Sequence, residues 1–311
     1  MEKELVSVVI TSYKRDCKYV EEAVNSVQEQ TYANLEIIVV DDNGNEDYYS
    51  NALQELCKAK NVRYIKNEKN SGAQYSRNIG ILESKGDFVA FLDDDDLWVS
   101  DKIEKQMMYF EDPEVGMVFC DGFSFEDGNI DKKWSFREAS IYDRPITLNL
   151  ELFNDFIGST SQALVKKECF ARVGMFDCDM PARQDYEMWL RICKQYKVVG
   201  CPEKLLLYRS HSGERISKTW KKCFDSYQLV LEKHRKEYKH NSFARAKIIL
   251  RLFDWSVKGK QYGKAVKYLT LAFLTNPKCT FGVIDRNIRK IPFDEYYKDM
   301  LDNMDSVNMR R

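Results

Sequence analysis

The stretch Phe88-Val89-Ala90-Phe91-Leu92-Asp93-Asp94-Asp95-Asp96-Leu97-Trp98 decides the fold. A short apolar run with no polar interruption reads as a strand buried on both faces, and this one hands four consecutive acids to one edge of a sheet. Adjacent carboxylates repel one another strongly unless a cation lies among them. A hard cation held by only a few carboxylates keeps coordination positions free for phosphate oxygens, so the pattern predicts a divalent-cation site and a phosphorylated ligand. The competing explanation is a solvated acidic loop. Against it stands a second instance: Asp41 and Asp42 directly follow the apolar run Leu35–Val40. In an open α/β sheet, ligands bind beyond the carboxyl ends of parallel strands, so two acid clusters at two strand ends imply one site.

Outward from these runs the chain alternates. Val6–Thr11, Leu35–Val40, Val62–Ile65, Phe88–Leu92 and Gly116–Cys120 read as strands. Between them lie helical patterns through Val20, Ala23, Val24 and Val27, around Ala52, Leu53 and Leu56, from about Ala73 to Lys85, and across Lys102–Phe110. This βα alternation predicts an α/β fold with a doubly wound, mostly parallel sheet. From Asp121 to about Pro145 the periodicity fades, and an irregular or antiparallel excursion is expected. Order returns with a strand at Ser161–Val165, a helix at Tyr186–Cys193 and a short strand at Leu205–Tyr208. After Trp220 only helical stripes remain: Trp220, Phe224, Tyr227 and Leu231; then Ile249, Leu252, Phe253 and Val257; then Tyr262 to Phe273. The division expected is a catalytic domain over 1–219, with halves 1–120 and 121–219, and an all-helical extension over 220–311. Gly259 to Pro277 resembles one tetratricopeptide hairpin, but that architecture needs several stacked repeats. Each amphipathic stripe needs a partner surface, and self-association through the C-terminal helices is one way to supply it.

Lysine and arginine total 48 against 49 acidic residues, a formal net charge of −1, so nothing global draws the chain to nucleic acid. Nine cysteines occur as singletons without a CxxC pair. With no leader-like stretch and no 18-residue apolar span, they predict reduced thiols and a cytoplasmic protein, at most peripheral on the inner face of a membrane. Ser12-Tyr13-Lys14-Arg15 after the first strand lacks the GxGxxG turn of dinucleotide folds, no Gly-Lys-Ser or Gly-Lys-Thr marks a P-loop, and no Cys/His set has zinc spacing.

Several ordered blocks together carry a resemblance. They are Val8-Val9-Ile10-Thr11-Ser12-Tyr13, Ile38-Val39-Val40-Asp41-Asp42, Asn70-Ser71-Gly72 with Arg77-Asn78-Ile79-Gly80, and the acid-bearing stretch itself. Val173-Gly174-Met175-Phe176-Asp177, Gln184-Asp185-Tyr186-Glu187-Met188-Trp189-Leu190-Arg191 and Tyr208-Arg209-Ser210-His211 continue the series. In order and spacing the chain resembles the family 2 glycosyltransferases of GT-A fold over about its first 217 residues.

That resemblance implies a sugar nucleotide, with UDP the expected nucleotide, whose base lies near Thr11, Tyr13 and Asp42, the Asp42 carboxylate accepting from an imide N–H. It implies Arg77 near the base or diphosphate, Asp93 at the ribose or metal, and Asp95 as the main ligand of Mn²⁺ or Mg²⁺. Asp94 and Asp96 also form a DxD pair; Asp93 and Asp95 are preferred because in this family the first acid follows the strand at once. Asp94 is counted with the nucleotide-binding set. In some relatives a histidine at the position of His211 completes the metal shell, and a loop hydrogen bond is the alternative for it here. His234 and His240 are expected at the surface. Arg209 and Arg215 are expected to clamp the diphosphate as their segment closes, excluding water. Sugar transfer builds charge on a departing phosphate, which a cation stabilises, and it needs a carboxylate to take the acceptor's proton. Asp185 is the candidate base, though at a helix start it is equally explicable as a cap. Gln184 stands where the family more often has an acid and would contact the donor sugar. Trp134, Phe136 and Tyr142 are candidates to stack on an acceptor sugar. The expected activity is inverting transfer to a hydroxyl of a glycan, lipid-linked or protein-linked acceptor in surface polysaccharide or glycoprotein glycan assembly. The rivals are a sugar-phosphate nucleotidyltransferase, which would release pyrophosphate, and a catalytically silent scaffold subunit.

Overall fold

The computed structural model describes residues 4–45, 47–135, 144–210 and 219–289. The chain begins with β1 (Val6–Ser12), α1 (Cys17–Gln28), β2 (Leu35–Asp41), α2 (Asp47–Lys60), β3 (Arg63–Lys66), α3 (Ala73–Glu83) and β4 (Phe88–Asp93). Strands β3, β2, β1 and β4 lie side by side in that order and all run parallel. Both faces are covered, which is why these strands lack polar alternation. Val9, Ile38, Val40, Val89 and Phe91 point to one core with Ile81 of α3; Val8, Ile10, Val39, Ala90 and Leu92 point to another with Val20 and Val24 of α1 and Leu53 of α2.

The second half departs from the expected parallel order. It contains β5 (Leu97–Trp98), α4 (Lys102–Met107), β6 (Val115–Glu126), β7 (Asn129–Ser135), α5 (Leu148–Phe153), β8 (Ala163–Lys166), α6 (Lys167–Val173), α7 (Gln184–Cys193) and β9 (Lys197–Ser210). Strand β8 inserts antiparallel between β4 and β6, β9 runs parallel to β6, and β5 and β7 pair antiparallel with β9 and β6. The sheet is therefore mixed. Part of the stretch expected to be irregular or antiparallel is an antiparallel hairpin: β6 runs on to Glu126 and returns through Gly128 (φ 80) into β7, whose seven residues are all exposed. An exposed strand has no apolar period to betray it. Leu205–Tyr208 belongs to the 14-residue β9, whose start is hidden by Pro202 and Glu203 at a register shift against β6.

Helices α8 (Trp220–Lys233), α9 (Arg235–His240), α10 (Ser242–Lys258), α11 (Tyr262–Thr275) and α12 (Pro277–Arg289) follow. They are not a separate body. Phe224, Tyr227, Val230, Tyr238, Ile249 and Leu252 share one hydrophobic core with Phe153, Tyr186 and Trp189. The first two stripes expected to need a partner are mostly covered within the chain, and Ala265, Leu269 and Ala272 of the third also pack inward, while Val257 of α10 and Tyr262, Val266 and Leu274 of α11 stay exposed. Among the described residues no helix is long and apolar enough to cross a membrane.

Candidate active site

Strand β4 and the turn after it give the four aspartates different fates. β1 and β4 are in register with Thr11 opposite Asp93, so the candidate base-binding turn begins beside the first acid. Asp93 Oδ1 accepts from Arg77 Nη2 at 2.6 Å and from Thr160 Oγ1 at 3.4 Å. Arg15 spans the next two, donating from Nε to Asp94 Oδ1 and from Nη2 to Asp95 Oδ2, both at 2.9 Å. Asp96 turns inward, accepting from Ser161 Oγ at 2.9 Å and from the Arg209 N–H at 3.1 Å. Ser161 Oγ also accepts the Asp93 N–H at 3.1 Å, so one serine fixes both ends of the acidic turn. The carboxylates of Asp93 and Asp95 are 34% and 17% exposed against 8% for Asp94, which makes the first DxD register the more accessible one. Burial pushes the Asp94 carboxyl up to about 7, the Arg15 guanidinium opposing and Asp95 and Asp93 adding to the rise. Burial likewise holds Asp96 well above the ordinary range.

The repulsion expected from four acids is thus met by two guanidinium groups of this chain. Arg15 was missed because it lies in a turn without periodicity; the basic residue facing the acids at the neighbouring strand's end was the available signal.

At the end of β2, Asp41 accepts from Asn43 (N–H at 2.8 Å, Nδ2 at 2.7 Å) and from Tyr64 OH at 2.6 Å. Asn43 Oδ1 in turn accepts the N–H of Lys14, whose φ is 48°. This chain of bonds sets the turn that carries Tyr13, whose ring is 47% exposed. The buried Asp42 carboxylate takes four donors: Asn67 Nδ2 (2.8 Å) and Ser71 N–H (2.9 Å) on Oδ1, Asn70 Nδ2 (3.1 Å) and Gly72 N–H (2.8 Å) on Oδ2. Those bonds engage every lone-pair direction, so Asp42 organises the loop before α3, and an imide N–H would have to share or displace one of them.

Asp185 lies in the first turn of α7, half-buried, its Oδ1 accepting the Tyr186 N–H at 2.8 Å. Burial and the nearby Asp155 carboxylate raise its pKa to about 6, with Arg183 and Arg77 pulling the other way. Arg77 therefore acts on both Asp185 and Asp93 and links the two candidate centres electrostatically. Arg77 is 6% exposed, and its Nη1 is buried without a hydrogen-bond partner. Gln184, the residue before, is half-buried on the same turn.

Two expectations are corrected. Arg209 is not free to clamp a diphosphate. Its guanidinium is 5% exposed, donates to the Asp95 carbonyl (2.8 Å), Asp127 (3.1 Å) and Glu22 (2.5 Å), and lies over the rings of Tyr19 and Phe125 at 4.9 and 4.7 Å. It braces the acidic turn from behind. His234 is not at the surface: it is 5% exposed, with Nε2 3.4 Å from Glu187 Oε1. Burial opposes ionisation of Glu187, but His234 and a fork from Arg191 keep its carboxyl below the usual range. Trp134 is exposed on β7. His211, Arg215, Phe136 and Tyr142 lie outside the described residues.

Among the described residues no three His, Cys, Asp or Glu side chains are gathered as a metal cage. The donors present nonetheless suit a hard cation: Asp93 and Asp95 offer carboxylate oxygens with exposed faces at a strand end, and the Arg15 guanidinium already places a positive charge on Asp95. A cation at Asp95 has to move Arg15 aside. A cavity of about 660 Å³ lined by Phe88, Ile81 and Phe170 lies at the opposite end of β4, away from the acidic turn.

The chain is 30% identical over 214 residues to the Escherichia coli UDP-Glc:alpha-D-GlcNAc-diphosphoundecaprenol beta-1,3-glucosyltransferase WfaP, covering 68% of this chain and 79% of that one. The S. aureus TarS 1–349 complex with UDP-GlcNAc superposes with a TM-score of 0.66 at 15% identity, over 89% of this chain and 82% of that one. The Pyrobaculum calidifontis mannosyltransferase PcManGT, in complex with GDP-Man and Mn²⁺, gives 0.62 at 18% identity, over 95% and 83%. At these identities the two structures show the GT-A fold. Residues 7–174 match the model of Glycosyl transferase family 2, and the chain is a glycosyltransferase belonging to that family.

Proposed function

We propose that this glycosyltransferase is metal-dependent and inverting, moving one sugar from a nucleoside diphosphate, UDP in the first instance, to an acceptor hydroxyl in surface-glycan assembly. The observation that carries the reading is Arg77, which bonds Asp93, stabilises the Asp185 carboxylate and keeps a buried Nη1 unsatisfied. An unpaired buried guanidinium nitrogen is costly, and an anionic ligand oxygen between the two acids satisfies it. Asp95 and Asp93 would hold Mn²⁺ or Mg²⁺, which supplies charge stabilisation to the departing phosphate. Support for the metal and the UDP donor comes from the relatives: Mn²⁺ in the PcManGT complex, UDP-sugars in the TarS complex and in the WfaP activity. The WfaP acceptor, a lipid-linked sugar diphosphate, makes a lipid-linked glycan the first acceptor to try.

In direct displacement the acceptor oxygen attacks the anomeric carbon as the bond to the β-phosphate oxygen breaks, and the hydroxyl proton goes to Asp185. With a pKa of about 6 the Asp185 carboxyl is ionised at neutral pH yet basic enough to take that proton. Tyr13 and the turn held by Asp41 and Asn43 flank the nucleobase, and Asp42 shapes the loop beside it.

A screen of UDP-, GDP- and dTDP-sugars for Mn²⁺-dependent hydrolysis tests the reading. Release of UDP from one donor is expected. Pyrophosphate release from a sugar phosphate and a nucleoside triphosphate would identify a nucleotidyltransferase instead.

A further inference from the structure

The first turn of α7 is built with help from the helical extension. Ala182 donates its N–H to Ser226 Oγ of α8 at 2.9 Å, and that hydroxyl donates to the Lys222 carbonyl at 2.7 Å, so both its directions are fixed. Arg183, the next residue, has φ 57°, a left-handed conformation that costs a residue with a side chain free energy unless its surroundings enforce it. Its guanidinium lies 5.4 Å from the Tyr227 ring of α8 and 3.5 Å from Asp155 Oδ2. Two further contacts follow along α7: Tyr186 OH meets Tyr238 OH of α9 at 3.3 Å, and Glu187 meets His234. Ser226 is fully buried and Tyr227 is 7% exposed, so neither contact is a surface accident.

We infer that Ser226 and Tyr227 are positioning residues: α8 fixes the left-handed turn at Arg183 and so holds the guanidinium beside Asp155 and within electrostatic reach of Asp185, which makes the extension part of the catalytic apparatus. The inference rests on Asp185 being the base only for its catalytic consequence. The groups acting on Asp185 are the Asp155 carboxylate, the Arg183 and Arg77 guanidinium groups and the Tyr186 N–H. Burial and Asp155 favour the neutral acid, while the two arginines and the N–H favour the carboxylate. Releasing Arg183 must therefore raise the proton affinity of Asp185.

The test needs no substrate. The carboxyl carbon of Asp185, assigned by its disappearance in Asp185→Asn, is titrated by carbon-13 NMR in the full chain and in three variants. Tyr227→Leu, which removes the ring, and Ser226→Ala, which removes the hydroxyl that accepts from Ala182 and donates to Lys222, should each move the midpoint upward by about half a pH unit, roughly threefold in proton affinity. Tyr227→Phe keeps the ring and should titrate as wild type. Should Tyr227→Leu fail to fold, Ser226→Ala carries the same comparison. Wild-type titration in both Ser226→Ala and Tyr227→Leu, or in Ser226→Ala alone if the other does not fold, overturns the inference. Donor turnover separates the two claims: full activity in Asp185→Asn refutes the base, whereas an inactive Asp185→Asn beside unshifted α8 variants refutes only the brace.

Discussion

Arg77 donates from Nη2 to Asp93 Oδ1 at 2.6 Å, while its other terminal nitrogen, buried among Phe176 and the acids, bonds nothing. Position 77 is set by α3, whose close approach to β1 is possible because Gly80 has no side chain: a Cβ there would lie 2.3 Å from Val9 Cγ1. The Arg77-Asn78-Ile79-Gly80 block thus combines one charged group with the backbone contact that aims it.

Arg77→Lys keeps a positive charge but removes the planar fork. A hydrogen bond to a charged group contributes about 1.5–3 kcal/mol, so UDP affinity in the presence of Mn²⁺ should fall roughly 10- to 100-fold. Calorimetry on a variant whose unfolding temperature matches wild type checks this.

Gly80→Ala should destabilise the fold by about 1–3 kcal/mol, because the added methyl must push α3 off β1 or force Val9 from its rotamer. Urea unfolding measures it, with loss of nucleotide affinity as the secondary effect.

On the proposed assignment Arg15 and a divalent cation would compete for Asp95. Arg15→Gln removes the resident charge, so Mn²⁺ binding without nucleotide should tighten, read by electron paramagnetic resonance as loss of the free-ion signal at lower protein concentration. Weaker binding would show that Arg15 orders the acids for the metal.

Transfer should fail on the acid side as pH drops through about 6, where Asp185 takes up its proton, and Asp185→Asn should lower turnover by about 10²–10⁴-fold at every pH with UDP affinity retained. The linkage has the opposite sign for stability. The folded-state pKa lies above the ordinary aspartate value of 3.8, so the folded chain binds the proton more readily than the unfolded chain. The group's cost to stability grows as pH rises from about 4 to about 6 and stays constant above. Asp185→Asn should accordingly unfold at no lower temperature than wild type at pH 8; a clear drop would indicate a structural cap.

The position of the candidate site was legible because apolar runs end together at one edge of the sheet, two of them directly at acids. Val8–Ile10, Ile38–Val40 and Phe88–Leu92 are buried strands whose continuous hydrophobicity tells of two covered faces, and the residue after each run lands at the sheet's carboxyl edge. What was not legible depends on contacts distant in sequence. Nothing in Ser161 announces that it fixes Asp93 and Asp96, and Arg209 looked like a phosphate clamp until its partners Glu22 and Asp127 were visible. The extension's stripes were readable as helices, but periodicity does not say which surface they cover; Tyr227 and Tyr238 cover the chain's own α7. A chain ending at residue 219 would expose that core, so it should be recovered insoluble or unfolded, rather than as a catalytic domain that still binds nucleotide.

On the proposed mechanism Asp93 and Asp95, at the end of β4, hold the cation through which a nucleoside diphosphate binds. Calorimetric titration of UDP into wild type and Asp95→Ala, each with and without Mn²⁺, tests it most directly. The account predicts Mn²⁺-dependent binding by wild type that is largely lost in Asp95→Ala; equal Mn²⁺-dependent affinity in the two proteins would contradict it.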